Sequence, residues 1–497
     1  MNASEKSAGI RQKGYLCFRK RSITSFACFY IPSCDLTIPY DMTRRLFLFL
    51  LLFLSTSFCA FCQEVDFSKS SGPVKPVNGV GQPPVTGYAD TSLFHYLKEA
   101  GIPFSRLHDV GGAYGRNIYV DIPNLFRDFS KDENLQENYD FTFTDSLLVG
   151  LHRNGVEPYF RLGVTIENSS FVRAYRVFPP SDYAKWARVA AHVIMHYNQG
   201  WANGYHMGIT HWEIWNEPEN DPDPSRNPMW MAPFDTYMDF YGVVAPYLKK
   251  NFPEVKIGGY GSCGFYAITG EGVKAANASE RNGHFVDCFL MFLERAKKQG
   301  WPLDFFSCHS YADVGDALFQ FAYARKTLDA YGFASTELSV NEWLPNPSKE
   351  KLGTARQAAE IASGLIGFEN GVVDDAEIYD ARATGGTYAP LFHPETYKPR
   401  KAYYSFVAFN ALRELGHAVT APSTPDGVYV ALASDLKGKA AVLVSNISSS
   451  DWRMPYTWKG YKVSDSRIID RGHDLSSFFF SGIVPKDSVV LLQLSRD

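Results

Sequence analysis

"FTFTDSLLVGLHRNGVEPYFRLG", residues 141–163, reads as one helix, one turn and one strand. Leu147, Leu148 and Leu151 share one helical face, and Thr144 or Asp145 can cap the helix start. Gly155 provides the left-handed residue that stops a helix, and EPYFRLG follows as a short apolar run of strand length. The same order recurs along the chain. Asp90 opens TSLFHYLKEAG before PFSRLHDV, Ser181 opens DYAKWARVAAHVIMHYNQG before THWEIWNEP, and Asp235 opens TYMDFYGVVAPYLKKNF before VKIGGYG. Three more helices lead to LDFFSCHSY, ELSVNEW and DDAEIYDAR, and VNGVG at 77–81 makes the first strand.

Eight strands alternating with helices imply a parallel sheet, and that number predicts a closed α/β (β/α)8 TIM barrel over residues 73–416. An open doubly wound sheet is the structural rival. It lacks support, because GGAYG at 111–115 follows strand two and does not have dinucleotide-binding glycine spacing. From 417 to 497 the pattern changes to GVYVALASD, KAAVLVSNI, RIIDRG and SVVLLQL, which predicts a small antiparallel, sandwich-like β domain. The segment near residue 63 could add a strand to it.

A formal charge of −4 over 497 residues offers no basic field for a nucleic acid or an anionic membrane surface. Arg44 and Arg45 followed by LFLFLLLFLSTSFCAFCQ read as a secretory signal over 42–62, with Ala60 and Cys62 at the small-residue positions before Gln63. Met42 makes a natural start, so residues 1–41 read as a mis-called extension. Export to the periplasm or the cell exterior follows, with no stable membrane span after cleavage; a lipid anchor at Cys59 or Cys62 is the alternative, against which stand the bulky Phe58 and Phe61. Cys263, Cys288 and Cys308 are too few and too dispersed for a disulfide framework. None of these three forms a CxxC pair, no HExxH or close histidine pair of ligand spacing indicates a metal, and no cofactor is implied. Oligomeric state is open.

Active sites of such barrels lie at the C-terminal strand ends. Those ends hold Arg106, His108 and Asp109 after strand two, Glu167 beyond strand three, and Asn216 and Glu217 after strand four. His309 and Tyr311 follow on strand six, Glu342 and Trp343 on strand seven, Tyr379 and Arg382 on strand eight. Pro218 cannot donate to a ladder, so it should end strand four and deliver Glu217 at the barrel mouth, with Glu342 arriving from strand seven. Two carboxylates in one cavity suit glycosidic bond cleavage. Of the others, His108 and Asp109 either line a sugar pocket or brace the GGAYG loop. His309 is a sugar contact or a rim histidine, Trp343 a stacking platform or core, and Tyr379 and Arg382 candidates for subsite recognition.

WEIWNEP at 212–218 resembles the acid/base motif of clan A retaining glycosidases, and with RLHD at 106–109, VNEWLP at 340–345 and the trailing β domain the chain resembles glycoside hydrolase family 39, which contains β-xylosidases and α-L-iduronidases. The resemblance implies Glu217 as general acid/base, Glu342 as nucleophile, and Asn216 on the sugar 2-hydroxyl. Arg106 and Tyr311 would hold Glu342 ionised, and its charge should keep Glu217 protonated near neutral pH. The implied partner is an oligosaccharide or polysaccharide, and the implied activity is a secreted, retaining, β-xylosidase-like exo-hydrolase. Iduronidase, arabinosidase or glucosidase action stays open, with Arg382 or Arg161 available to meet a uronate. A barrel that binds carbohydrate without cleaving it is the rival of another class.

Overall fold

The computed structural model describes residues 63–87, 92–112, 118–165, 177–270 and 279–497. The signal segment with Cys59 and Cys62, Asp90, residues 113–115 of GGAYG and Glu167 lie outside the described residues. Eight parallel strands close into a barrel: β1 Gly79–Gly81, β2 Phe104–Arg106, β3 Glu157–Leu162, β4 His211–Ile214, β5 Lys256–Ser262, β6 Phe305–Ser310, β7 Glu337–Trp343 and β8 Asp375–Ile378. Closure is made by β8 on β1, with Glu377 opposite Gly79 and Ile378 opposite Val80.

Eight main helices alternate with these strands: α1 Phe94–Glu99, α2 Thr142–Arg153, α3 Tyr183–Gln199, α4 Phe234–Asn251, α5 Glu280–Gln299, α6 Val314–Tyr331, α7 Ala355–Asn370 and α8 Lys401–Arg413. In α2 the leucine stripe is fully buried at Leu147, Leu148 and Leu151, each such side chain contributing about 1.5–3 kcal/mol. Gly155 adopts φ 72° and its N–H donates to the His152 carbonyl at 3.0 Å.

Three caps differ from the expected ones. α2 starts at Thr142, whose N–H donates to Asp140 Oδ1 at 3.2 Å, so Thr144 and Asp145 already lie inside the helix. Asp145 instead accepts from His196 Nε2 at 2.9 Å and the Tyr197 hydroxyl at 3.0 Å, a tertiary role that outweighs a local one. α3 is capped by Asp182, which accepts from Lys185 N at 2.8 Å, in place of Ser181. α4 begins at Phe234 with no side-chain cap, and Asp235 sits in its first turn.

A seven-stranded antiparallel sheet follows the barrel, in the order Asp474–Ser477, Tyr461–Ile469, Ser488–Arg496, Lys439–Asn446, Val428–Ser434, His417–Val419 and Gly72–Pro73. The edge strand Gly72–Pro73 precedes the barrel in sequence, so the chain enters through the β sheet and reaches β1 only afterwards. Gln63–Val65 also pairs with Tyr456–Trp458. One face of the sheet closes a separate apolar core around Phe67, Val442, Val444, Val490 and Leu492. Its other face packs on α7, where Ser445 Oγ donates to the Ala359 carbonyl at 2.7 Å.

Candidate active site

β4 ends at Ile214, earlier than Pro218 alone would end it. Trp215 turns to φ 77° and Glu217 to φ 46°, a left-handed region that costs bulky residues energy and is held only by surrounding contacts. Those contacts are visible. The Trp215 indole donates to the Met229 carbonyl at 2.9 Å, and Glu217 N–H donates to the Gly261 carbonyl at 3.0 Å. Gly261 itself has φ 65°, and a Cβ there would come within 3.1 Å of Asn216 Oδ1 and Glu213 Oε1. Only glycine lets β5 pass so close to the site. Glu219, fully buried, ties the same turn to the end of β5 by accepting from Ser262 Oγ at 2.9 Å and Cys263 N at 2.8 Å.

Arg106 is the hub. Entirely buried, its guanidinium donates to Glu213 Oε2 at 2.8 Å, Glu342 Oε2 at 3.0 Å and Asn216 Oδ1 at 2.5 Å. Burial pushes Glu213 up, but Arg106 with the bonds from Ser307 and Asn341 brings it below the usual carboxylate range. Glu342 takes a second bond at 2.6 Å from the Tyr311 hydroxyl, whose own backbone N–H donates to Tyr266 OH at 2.9 Å. A cation and a hydroxyl on separate oxygens fix its orientation.

Glu217 has different company. Its Oε1 lies 2.8 Å from His309 Nδ1 and its Oε2 accepts from Asn220 Nδ2 at 2.6 Å. Burial pushes Glu217 up and His309 down, yet the bond between them and the neighbouring charges reverse both, leaving the glutamate lowered and the histidine raised. This corrects the expectation that the charge on Glu342 keeps Glu217 protonated. His309 Nδ1 also lies 3.9 Å from Glu342 Oε1 and so bridges the two carboxylates.

Other sequence-predicted residues separate into lining and support. His309 has a fully enclosed side chain, which makes it a bridge between acids instead of a sugar contact. His108 Nε2 is 3.1 Å from Asp109 and 3.8 Å from Glu342, and its ring sits 5.9 Å from that of Tyr379. Asp109 is corrected from pocket lining to bracing: its side chain is enclosed between His108, Arg161 and Thr165, and although burial alone would raise it, His108 and Arg161 hold it well below its ordinary range. Trp343 is also corrected. Only 2% exposed, it points away from Glu342 into the helix layer, against Phe368 at 4.8 Å and the Cα of Gly364, and is core. Tyr379 accepts from Gln82 Nε2 at 2.7 Å and meets Tyr311 and Tyr388 edge-on, forming an aromatic rim over Glu342. Arg382 is clamped by buried Asp380, donating from Nε at 3.0 Å and Nη2 at 2.8 Å. Sequence reading missed Gln82, which directly follows β1, and Tyr266, Tyr388 and Asn220, which lie further out in the loops beyond the strand ends.

Among the described residues two clusters have metal-site spacing: Glu217, His309 and Glu342 at the top of the barrel, and His211, Glu337 and Asp375 at the bottom. In the lower one Lys256 Nζ already sits 2.7 Å from both Glu337 oxygens. In the upper one both Glu217 oxygens already accept, and Arg106 supplies the charge.

The sequence model of glycosyl hydrolases family 39 matches residues 113–332, the part of the barrel that carries Glu217 and His309. That segment is a family 39 glycosyl hydrolase domain. A β-xylosidase from Geobacillus stearothermophilus is 22% identical over 341 residues, 60% of this chain and 61% of the relative, so the chain spans about three-fifths of that protein's length. A glucosidase from Croceicoccus marinus superposes with a TM-score of 0.67 at 18% identity, covering 87% of this chain and 98% of its own. A monomeric β-xylosidase from Caulobacter crescentus CB15 gives 0.61 at 16% identity, covering 88% and 100%. These likenesses establish the fold around the family 39 domain.

Proposed function

We propose that the protein is an exported, retaining glycoside hydrolase of β-xylosidase-like, exo-acting specificity. One observation carries the mechanism: carboxylate oxygens of Glu217 and Glu342 lie within 4.8 Å of each other. Retaining pairs stand about 5–5.5 Å apart, whereas inverting pairs need about 6.5–9.5 Å to admit a water. Glu342, aimed by Arg106 and Tyr311, attacks the anomeric carbon while the glycosidic oxygen leaves with a proton from Glu217. Glu217 draws that proton from His309 Nδ1 along their 2.8 Å bond before passing it to the leaving oxygen, and is a carboxylate again once the bond has broken. Once the leaving group has gone, Glu217 accepts a proton from water, which attacks the glycosyl–Glu342 ester and frees the sugar. Asn216, fixed through Oδ1 by Arg106, presents its amide to the 2-hydroxyl.

A neutral sugar fits better than a uronate. Arg161 is buried beside Asp109, and Arg382 is already neutralised by Asp380, so neither of the two cations considered for a uronate offers an uncompensated charge. Pentose preference is drawn from the relative named a β-xylosidase, and export from the signal pattern at 42–62. Among the described residues no helix is long and apolar enough to cross a membrane.

The test is hydrolysis of aryl xyloside, arabinoside, glucoside and iduronide by residues 63–497, beside Glu217→Gln. Xyloside turnover that falls about 10²–10⁴-fold in the variant is expected. Oligosaccharide binding with no release of reducing ends would replace the enzyme with a carbohydrate-binding barrel.

A further inference from the structure

Glu217 is the only one of the two carboxylates that must change protonation twice in each turnover, and its aim is set by a residue three positions on. Asn220 uses every polar group it has. Its N–H donates to the Glu217 carbonyl at 3.1 Å, and its Nδ2 donates to Glu217 Oε2 at 2.6 Å. Its two oxygens face the other way: Asn220 O accepts from Arg281 Nε at 2.7 Å and Oδ1 accepts from Arg281 Nη2 at 2.8 Å. Arg281 belongs to the first turn of α5, and its guanidinium lies 4.7 Å over the Phe285 ring of the same helix.

The fork fixes which end of the Asn220 amide points where. A guanidinium can only donate, so Oδ1 must face Arg281 and Nδ2 must face Glu217. A two-point guanidinium contact adds geometric definition that a lysine point charge lacks. The left-handed backbone at Glu217 leaves the side chain dependent on such outside contacts, since a strained turn keeps its shape only when neighbours over-determine it.

We infer that Asn220 and Arg281 form a positioning relay for the acid/base: Arg281 locks the Asn220 amide, and the amide holds Glu217 Oε2 so that Oε1 stays on His309 for the proton exchange. Arg281 is exposed and outside the catalytic cavity, whereas Asn220 touches Glu217 directly. This inference rests on the retaining reading above and adds two residues that neither the strand-end pattern nor the WEIWNEP motif indicates.

A relay acting through the acid has a kinetic signature that a general loss of structure lacks. Departure of an alkoxide or sugar needs a proton from Glu217, whereas 2,4-dinitrophenolate leaves without one. Arg281→Ala is therefore expected to lower kcat/KM for xylobiose about tenfold while leaving kcat/KM for 2,4-dinitrophenyl xyloside within twofold of wild type. With the activated substrate kcat and KM should fall together, because Glu217 also serves as base in the second step, and added azide should restore kcat by replacing water as the nucleophile. Arg281→Lys should behave like Arg281→Ala, since it keeps the charge and loses the fork. Asn220→Ala should show the same pattern with a larger loss. Equal losses on both substrates, or no loss on either, would overturn the relay. If the wild-type protein cleaves neither substrate, the β-xylosidase reading fails first and the relay falls with it. A normal wild type with an indifferent Arg281→Ala rejects the relay alone.

Discussion

The two ends of the barrel carry the same ingredients to different ends. At the bottom His211, Glu337 and Asp375 meet Lys256; at the top His309, Glu217 and Glu342 meet Arg106. Lys256 is 39% exposed and Glu337 33%, so water shares the load and the group acts as a strut between the starts of β4, β5, β7 and β8. Arg106 is fully enclosed, with Glu213 beneath it, and the only side-chain surface of the upper acids that reaches solvent is the edge of Glu217 and a sliver of Glu342. A buried cation below and open carboxylate edges above is how charge is kept reactive: the acids are aimed but not consumed by their partners. The bottom cluster has no such reserve, because its lysine spans both oxygens of Glu337.

Removing each cation should separate the two ends most sharply. Arg106→Ala leaves Glu213 and Glu342 without their cation in a low-dielectric interior, and loss of one partner of a buried pair costs about 3–5 kcal/mol. Activity should vanish with it. Lys256→Ala, at a partly exposed site, should cost about 1 kcal/mol or less and leave kcat intact. Urea unfolding and xyloside assays on both variants make the comparison; equal effects on stability and rate would erase the distinction between strut and site.

A smaller effect concerns pH. Glu217 is lowered, so its contribution to stability is present above its unfolded value and is lost as pH falls through the folded one. His309 is raised, so its contribution is full below its unfolded value and is lost as pH rises through the folded one. The stability gap between wild type and His309→Gln should therefore be widest between about pH 4.3 and 6.5, the ordinary values of the two groups, and should narrow on both sides. The alkaline limb of kcat/KM should follow the same raised histidine, since loss of the shared proton disarms Glu217. A stability gap that stays flat from acid to alkaline pH would contradict the pairing.

Smallest of all in its effect on activity is Trp343→Phe. As a core residue against Phe368 it should cost about 1–3 kcal/mol through the cavity left behind, with KM unchanged. A clear rise in KM would return Trp343 to the pocket.

The element boundaries are legible where their signals are local: Gly155 stops α2 and EPYFRLG starts β3, whereas β4 ends at Ile214, before the proline that follows Glu217. The direction of each side chain is less so. Strict alternation along β7 would send Asn341 and Glu342 to opposite faces, yet the register shifts between Val340 and Trp343, and both residues reach Glu213 and Arg106 in the interior. Trp343 is thereby turned outward. Asp109 and His309 were placed at the right strand ends, but whether a rim residue meets sugar or another side chain depends on partners far away in sequence, such as Arg161 and Thr165. The electrostatics of Glu217 are illegible in sequence for the same reason: they depend on His309, 92 positions away. Asn220 and Arg281, 61 residues apart, leave no trace in spacing at all.

The most direct test of the glycosidase reading is the anomer of the first-formed sugar. Proton NMR during the first minutes of xyloside hydrolysis should show product with the configuration of the substrate, before mutarotation mixes the forms, and Glu342→Gln should lower kcat/KM by about 10⁴-fold or more. Product of inverted configuration would contradict Glu342 as nucleophile and the close carboxylate pair as a double-displacement site.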